Sequence, residues 1–228
     1  MINETFEGIN GLPKAGETVA VVIAAGLSRR MGEFKPLLDI GGRPALLRLI
    51  DSIKAAKIAR IVVVTGHRCD IVEETVKSFD AEIDLVFNDR YEEGMFTSVK
   101  TGVKYAAMAM ATQALLFPVD VPLVRTGTIR DFFDTYDATT AGLTPKPFAV
   151  PVCRGKNGHP LLIPCEYFDE ILEYEGEGGL KAVRNKYDET LMKMDTDDEG
   201  CLLDMDTPED YEKLLKYYEA SGSKSDAI

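Results

Sequence analysis

Histidine is almost absent from this chain: His67 and His159 are the only two. The four cysteines, Cys69, Cys153, Cys165 and Cys201, form no C-x-x-C pair and have no histidine at zinc spacing. That argues against a structural zinc site and a disulfide framework, and for scattered reduced thiols of a cytoplasmic protein. No apolar run reaches the length of a membrane span. No basic start followed by an apolar core marks a secretion signal. The expectation is a cytoplasmic protein with no membrane partner. Positive charge is also scarce, with 26 Lys and Arg against 38 Asp and Glu, a formal net charge of −12. Such a surface repels polynucleotides, so no nucleic-acid partner is expected. Two familiar phosphate loops are missing as well. Pro36 follows Lys35, which rules out Gly-x-x-x-x-Gly-Lys-Ser/Thr; Leu27, Ser28 and Arg29 follow Gly26, which rules out Gly-x-Gly-x-x-Gly.

What is present is an α/β alternation. The chain has 228 residues, 45% hydrophobic and 28% charged, enough for one sizeable α/β domain. Apolar runs predict strands over 19–25, 61–65, 83–87 and 115–119. Amphipathic patterns predict helices over 44–56, 70–79 and 97–110. This order implies a parallel, doubly wound sheet with right-handed crossovers, whose ligands sit beyond the carboxyl ends of the strands. The second half is less regular. Short strands are expected over 148–153, 159–163 and 201–205, and helices over 167–174, 179–187 and 208–218. The expected organisation is a loose arm over 1–18, one domain over 19–219 and a disordered tail over 220–228. The domain is expected to divide into two halves, 19–125 and 126–219.

Five segments carry chemistry. The first apolar run stops at Gly26, and Ser28, Arg29, Arg30, Gly32 and Lys35 follow within ten positions. A strand that ends in a glycine-bearing turn exposes N–H groups that bind anions, and nearby cations add charge. Arg30 and Lys35 can reach one polyphosphate from two sides; the plain alternative is a loop with solvated basic residues. Asp120 stands at the end of the fourth strand, on the ligand-facing edge. A carboxylate there suits Mg²⁺, and it equally suits a turn before Pro122. In 204–210, Thr207, Pro208 and Asp210 are explained by a helix cap. Asp204 and Asp206 are not, and period two puts them on one face of a strand end. Gly94, Thr97 and Ser98 offer N–H and hydroxyl groups at a helix start, where Thr97 also serves as a plain N-cap. His159, between Gly158 and Pro160 in a basic loop, suits an anion, although a lone histidine is more often structural.

Ile23-Ala24-Ala25-Gly26, Arg30-Met31-Gly32 and Lys35 together resemble the signature of the MobA-like nucleotidyltransferases, (Leu/Ile)-Ala-(Ala/Gly)-Gly-x-x-x-Arg-Met-Gly-x-x-Lys. The resemblance implies that Ala24, Ala25, Gly26, Leu27 and Ser28, with Arg30 and Lys35, wrap the triphosphate of a nucleotide. Lys35, Arg30 and Asp120 then carry catalysis, the two cations neutralising charge as pyrophosphate leaves. The Asp-x-Pro of 120–122 is similar to the family's metal-binding motif, and 204–210 to its Asp-x-Asp-Thr-Pro-Glu-Asp. That pairs Asp120 with Asp206 as metal ligands and leaves Asp204 as an outer candidate. Segment 88–98 is similar to Asn-x-x-(Trp/Tyr)-x-x-Gly-Met-x-x-Ser, which implies Gly94 and Ser98 in the base and ribose pocket. The Thr-Gly-His of 65–67 places Thr65 and Gly66 beside it. Segment 155–160 is similar to Gly-x-x-Gly-His-Pro and assigns Gly158, His159 and Pro160 to the acceptor. Lys181 stands where the family often has arginine at that acceptor site.

The resemblance covers most of residues 19–218 and implies a nucleotide-binding half over 19–125 and an acceptor-binding half over 126–219. Ala24-Ala25-Gly26, Thr-Gly-His and Gly-His-Pro resemble the molybdenum cofactor cytidylyltransferase branch. The guanylyl branch has Ala-Gly-Gly and Asp-Lys, whereas Phe34 precedes Lys35 here. The implied fold is Rossmann-like: a mostly parallel sheet with helices on both faces and short antiparallel strands in the second half. The implied activity is transfer of CMP from CTP to the phosphate of a molybdopterin-type acceptor, with release of pyrophosphate. Mg²⁺, or Mn²⁺ in its place, is the implied cofactor, and a client molybdenum enzyme or its chaperone the implied protein partner. Two rivals stand beside this. One is a nucleotidyltransferase for a sugar-phosphate or phosphocholine acceptor; the other is a non-catalytic accessory protein that delivers the cofactor.

Overall fold

A computed structural model describes residues 17–58 and 60–221. One sheet of eight strands takes members from both halves of the chain. The strands β1 (Thr18–Ile23), β2 (Arg60–Thr65), β3 (Asp84–Phe87) and β4 (Gln113–Pro118) are parallel, in the order β3-β2-β1-β4. The sheet continues through β7 (Leu161–Pro164), antiparallel to β4, and β5 (Ala149–Cys153), antiparallel to β7. The short β6 (Lys156–Asn157) folds back on β5, and β8 (Met192–Asp195) runs parallel to it. The strand order reverses between β1 and β4, so the loops that follow these two strands flank the switch point where such sheets bind ligands.

The apolar run of β1 has its cause in packing on both faces. Ala20, Val22 and Ala24 face one core cluster, with Leu46, Leu49 and Ile50 of α1 (Ala45–Ala55) and Val72 of α2 (Cys69–Phe79). Val19, Val21 and Ile23 face the other, with Val99 and Val103 of α3 (Met95–Met108) and Ile171 of α5 (Phe168–Glu173). Gly102 lies where α3 crosses β1; a Cβ there would strike Val21 Cγ1. A third, smaller cluster joins Met31, Leu38 and Ile40 to Met205 and to Leu214 of α7 (Pro208–Ser221). It packs the segment before α7 under the loop that follows β1.

Several expected boundaries move. The helix expected over 97–110 starts at Met95, because Gly94 adopts φ +118° and caps it one turn earlier. Thr97 is therefore inside the first turn and is not the N-cap. The strand expected over 159–163 starts at Leu161, since Pro160 has no N–H for a ladder. The strand expected over 201–205 does not form. Its start is a tight turn, Glu199–Cys201, fixed by the Asp198 carboxylate accepting from Gly200 N–H at 2.9 Å. Beyond it the chain is held by a bond from Met205 N–H to Asp120 O, 3.0 Å. Three further elements lie outside the expected set, α4 (Thr126–Thr140), β6 and β8. The helix α6 (Gly179–Asn185) is shorter than expected. Residues 1–16 of the expected arm lie outside the described residues, and Thr18 already belongs to β1. Ala220 and Ser221 close α7 instead of opening a tail; 222–228 lie outside the described residues.

Candidate active site

At Gly26 the chain leaves β1 and turns over the carboxyl edge of the sheet. Ser28 has φ +52° and Gly32 φ +78°, and Gly32 N–H closes the turn on Ser28 O at 3.2 Å. The N–H groups of Gly26, Leu27, Arg29 and Arg30 reach no main-chain carbonyl among the described residues. A loop that curls with its N–H groups open is a concavity for anions. Ser28 Oγ accepts from Lys35 N–H at 3.1 Å and so ties the two ends of the loop together.

Lys35 is the hub of the site. Its ammonium lies 3.2 Å from Asp120 Oδ2 and 2.5 Å from Asp206 Oδ1. Arg30 reaches the other oxygen of Asp206 at 2.7 Å. Residues far apart in sequence thus converge at the ends of β1 and β4. The Lys35 hydrogen bond, followed by its charge and that of Arg30, holds the Asp206 carboxyl below the usual aspartate range. Asp204 moves the other way: loss of water around its carboxyl, then the charges of Asp206 and Asp120, push it up.

Asp120 and Asp206 present hard oxygen donors that already face one common cation, the Lys35 ammonium. Their chemistry therefore fits Mg²⁺ or Mn²⁺. Among the described residues no group of three or more His, Cys, Asp and Glu could hold a metal alone. Two carboxylates are what an ion shared with substrate phosphates requires.

Of the residues expected to hold the nucleotide, Thr65 is fully buried, its hydroxyl 3.5 Å from Val86 O. Gly66 has no room for a side chain, since a Cβ would meet Tyr91 and Ala25. Ala24 and Ala25 are buried, and their main chain binds that of Val64 and His67. Gly94 is exposed and Ser98 buried. The residue that orders this corner is Asn88. Its amide donates to Thr97 Oγ1 and Ser98 Oγ, both at 2.9 Å, and its Oδ1 accepts from Arg90 N–H at 3.0 Å. Asn88 is itself buried, which makes each of these bonds obligatory. Its sequence signal was its place directly after β3.

Of the residues expected to face the acceptor, Gly158 is pressed against Cys201, so that a Cβ would collide with it. His159 N–H donates to Cys201 O at 2.9 Å. Its Nδ1 is buried without a partner among the described residues. Burial lowers the imidazole pKa, and the charge of Asp120 opposes that shift. Pro160 is buried next to it. Lys181 is not brought into this group; it is exposed on α6. The loop before α6 instead closes a cleft of about 250 Å³ with Arg90, Phe96, Thr97, Lys100 and Tyr174. No helix among the described residues is long and apolar enough to cross a membrane.

Comparison with known proteins gives the same picture. The molybdenum cofactor cytidylyltransferase of Escherichia coli K12 is 28% identical over 194 residues, 84% of this chain and 92% of that protein. The bifunctional protein GlmU of Geobacter metallireducens is 30% identical over 132 residues, 57% of this chain. The match takes in 27% of that protein, so this chain corresponds to about a quarter of it. Among solved structures, Rv0371c of Mycobacterium tuberculosis H37Rv in complex with manganese superposes with a TM-score of 0.68 and 23% identity. That match covers 89% of this chain and 100% of that one, and it speaks for the fold. The model of the MobA-like NTP transferase domain matches residues 20–190. With that match running from β1 through the sheet to the segment before β8, the chain belongs to the MobA-like NTP transferase family and is a nucleotidyltransferase.

Proposed function

We propose that the protein transfers CMP from CTP to the phosphate of a molybdopterin-type acceptor and releases pyrophosphate. The observation that carries nucleotidyl transfer is the convergence of Lys35, Asp120 and Asp206 beside the open loop 26–30. The choice of CTP and of a pterin acceptor is supported by the E. coli cytidylyltransferase, similar along nearly its whole length. The Gly158-His159-Pro160 turn, which His159 N–H ties to Cys201 O in the segment that Met205 N–H ties to Asp120, supports an acceptor approaching from that side.

The chemistry needs no covalent intermediate. An acceptor phosphate oxygen attacks the α-phosphorus in line, the bond to the β-phosphate oxygen breaks, and pyrophosphate leaves. The loop N–H groups and Arg30 bind and orient the triphosphate. Lys35 stabilises the charge that grows on the leaving group. Positioning and electrostatics of this kind are the main catalytic devices in such reactions. Asp120 and Asp206 would hold Mg²⁺ or Mn²⁺, which when bound neutralises charge on the reacting phosphates. Asn88 keeps the start of α3 in place for the nucleoside.

The test is a nucleotide panel with purified molybdopterin acceptor, read by pyrophosphate release and by the mass of the product. A CMP-linked product is expected. A GMP-linked product would overturn the cytidylyl reading, and pyrophosphate release only with a sugar phosphate or phosphocholine would overturn the pterin acceptor.

A further inference from the structure

Lys35 does at the two acids what a bound cation would do. One ammonium lies within hydrogen-bond reach of Asp120 and Asp206 together. Its side chain is 13% exposed, against 74% for Arg30. Its main chain is fixed by Ser28 Oγ. This is a held lysine, where Arg30 is a solvated group that leans on Asp206. A divalent ion bound by the same carboxylate oxygens would meet the ammonium as a like charge at close range, and partial burial would strengthen the repulsion. The two cations therefore compete for one pair of acids. Lysine can leave: it is a compact charge on a flexible stem. The open N–H groups of Gly26, Leu27, Arg29 and Arg30 show where it would go, because an anion seated there offers the ammonium new oxygens.

We infer that Lys35 is a resident counter-ion that closes the Asp120–Asp206 pair to divalent metal until a polyphosphate in the loop draws the ammonium away. Metal and nucleotide then bind with positive coupling, and linkage makes the effect mutual. The inference rests on the proposed metal role of Asp120 and Asp206, and not on which nucleotide or acceptor is used.

The experiment is Mn²⁺ binding to nucleotide-free protein, read by loss of the free-ion EPR signal. Lys35→Met is expected to bind Mn²⁺ about tenfold or more tighter than wild type, because a like charge has been removed from the acids. The gain is expected to vanish in Lys35→Met/Asp120→Asn, which separates this site from the acidic surface. Equal or weaker binding by Lys35→Met overturns the inference, and so does a gain that survives Asp120→Asn. Where Lys35→Met loses the native circular-dichroism spectrum, Lys35→Gln takes its place with the same expected result. A GMP-linked product in the nucleotide panel would leave this outcome untouched, so the two readings fail separately.

Discussion

Three side chains at the ends of β1, β4 and the segment before α7 carry opposite demands, and substitution separates them. Asp120→Asn and Asp206→Asn each remove a charge that faces the shared cation. Each is expected to lower Mg²⁺-dependent turnover about a hundredfold or more with the fold retained, since metal-based charge stabilisation is worth several kcal/mol. Wild-type rates in Asp206→Asn would move the second ligand to Asp204. Lys35→Ala is expected to lower kcat more than it raises the KM for CTP, because leaving-group charge grows towards the transition state. A raised KM with unchanged kcat would make Lys35 a ground-state clamp. The two neighbouring acids also differ in sign for stability. Asp206 has a depressed folded pKa, so its stabilisation is present above the unfolded aspartate pKa and lost as pH falls through the folded one. Asp204 has a raised folded pKa, so its charge costs stability at neutral pH, and the cost fades as it protonates. In chelator-treated protein at pH 7, Asp206→Asn should lower the urea midpoint and Asp204→Asn should raise it. Equal shifts of one sign would contradict this account.

At the level of elements, α3 is the part whose placement matters most, because it lies over β1 and its first turn, capped by Gly94, presents Ser98, which is expected to face the nucleoside. Gly102 permits that approach. Gly102→Ala adds helix propensity of about 1 kcal/mol. Against this stands overpacking on Val21, typically about 1–3 kcal/mol in a tight core. Val21 is fully buried and cannot swing away, so a net loss of stability is expected in urea titration. A gain would show that α3 has room to lift. The four parallel strands were legible as short apolar runs, and their three crossover helices because each repeats the helical period. In α4 the same signal was present, with Ile129, Phe132 and Tyr136 buried at helical spacing, but Thr and Asp between them masked it. The strand β8 has four residues, and it becomes a strand only because β5 supplies a ladder partner. Segment 201–205 misled because its apolar residues suit a strand, while Asp198 spends its carboxylate on a turn that the apolar pattern does not record. The site was legible where it is local, as in the loop 24–35. The contact of Lys35 with Asp206, across 171 positions, is a product of tertiary packing, as is the hold of Asn88 on Thr97 and Ser98.

The whole molecule stands or falls on the join between its halves. The outer edge of β4 is paired with β7, from Gln113–Pro164 to Leu116–Leu161. Every residue of β4 is buried. One core cluster draws on both halves, from Ala20 and Leu46 to Phe132, Ala149, Leu162 and Cys201. Asp206 reaches Lys35 only because Met205 is packed with Met31 and Leu38 beneath the β1 loop. The two halves, 19–125 and 126–219, thus share one sheet and one core. A fragment ending at Arg125 would expose the full edge of an apolar strand and half of a core, and such edges pair with other chains. It is expected to be unfolded or aggregated. The 228-residue chain is expected to unfold in one step, with circular dichroism and the fluorescence of its 9 tyrosines tracing the same urea transition. Two separated transitions, or a soluble fragment with its own cooperative unfolding, would show instead that the acceptor half is an independent body. The alignment of Asp206 with Lys35 would then depend on docking between two bodies rather than on a shared core, and turnover would fail at a lower urea concentration than the nucleotide half's own unfolding.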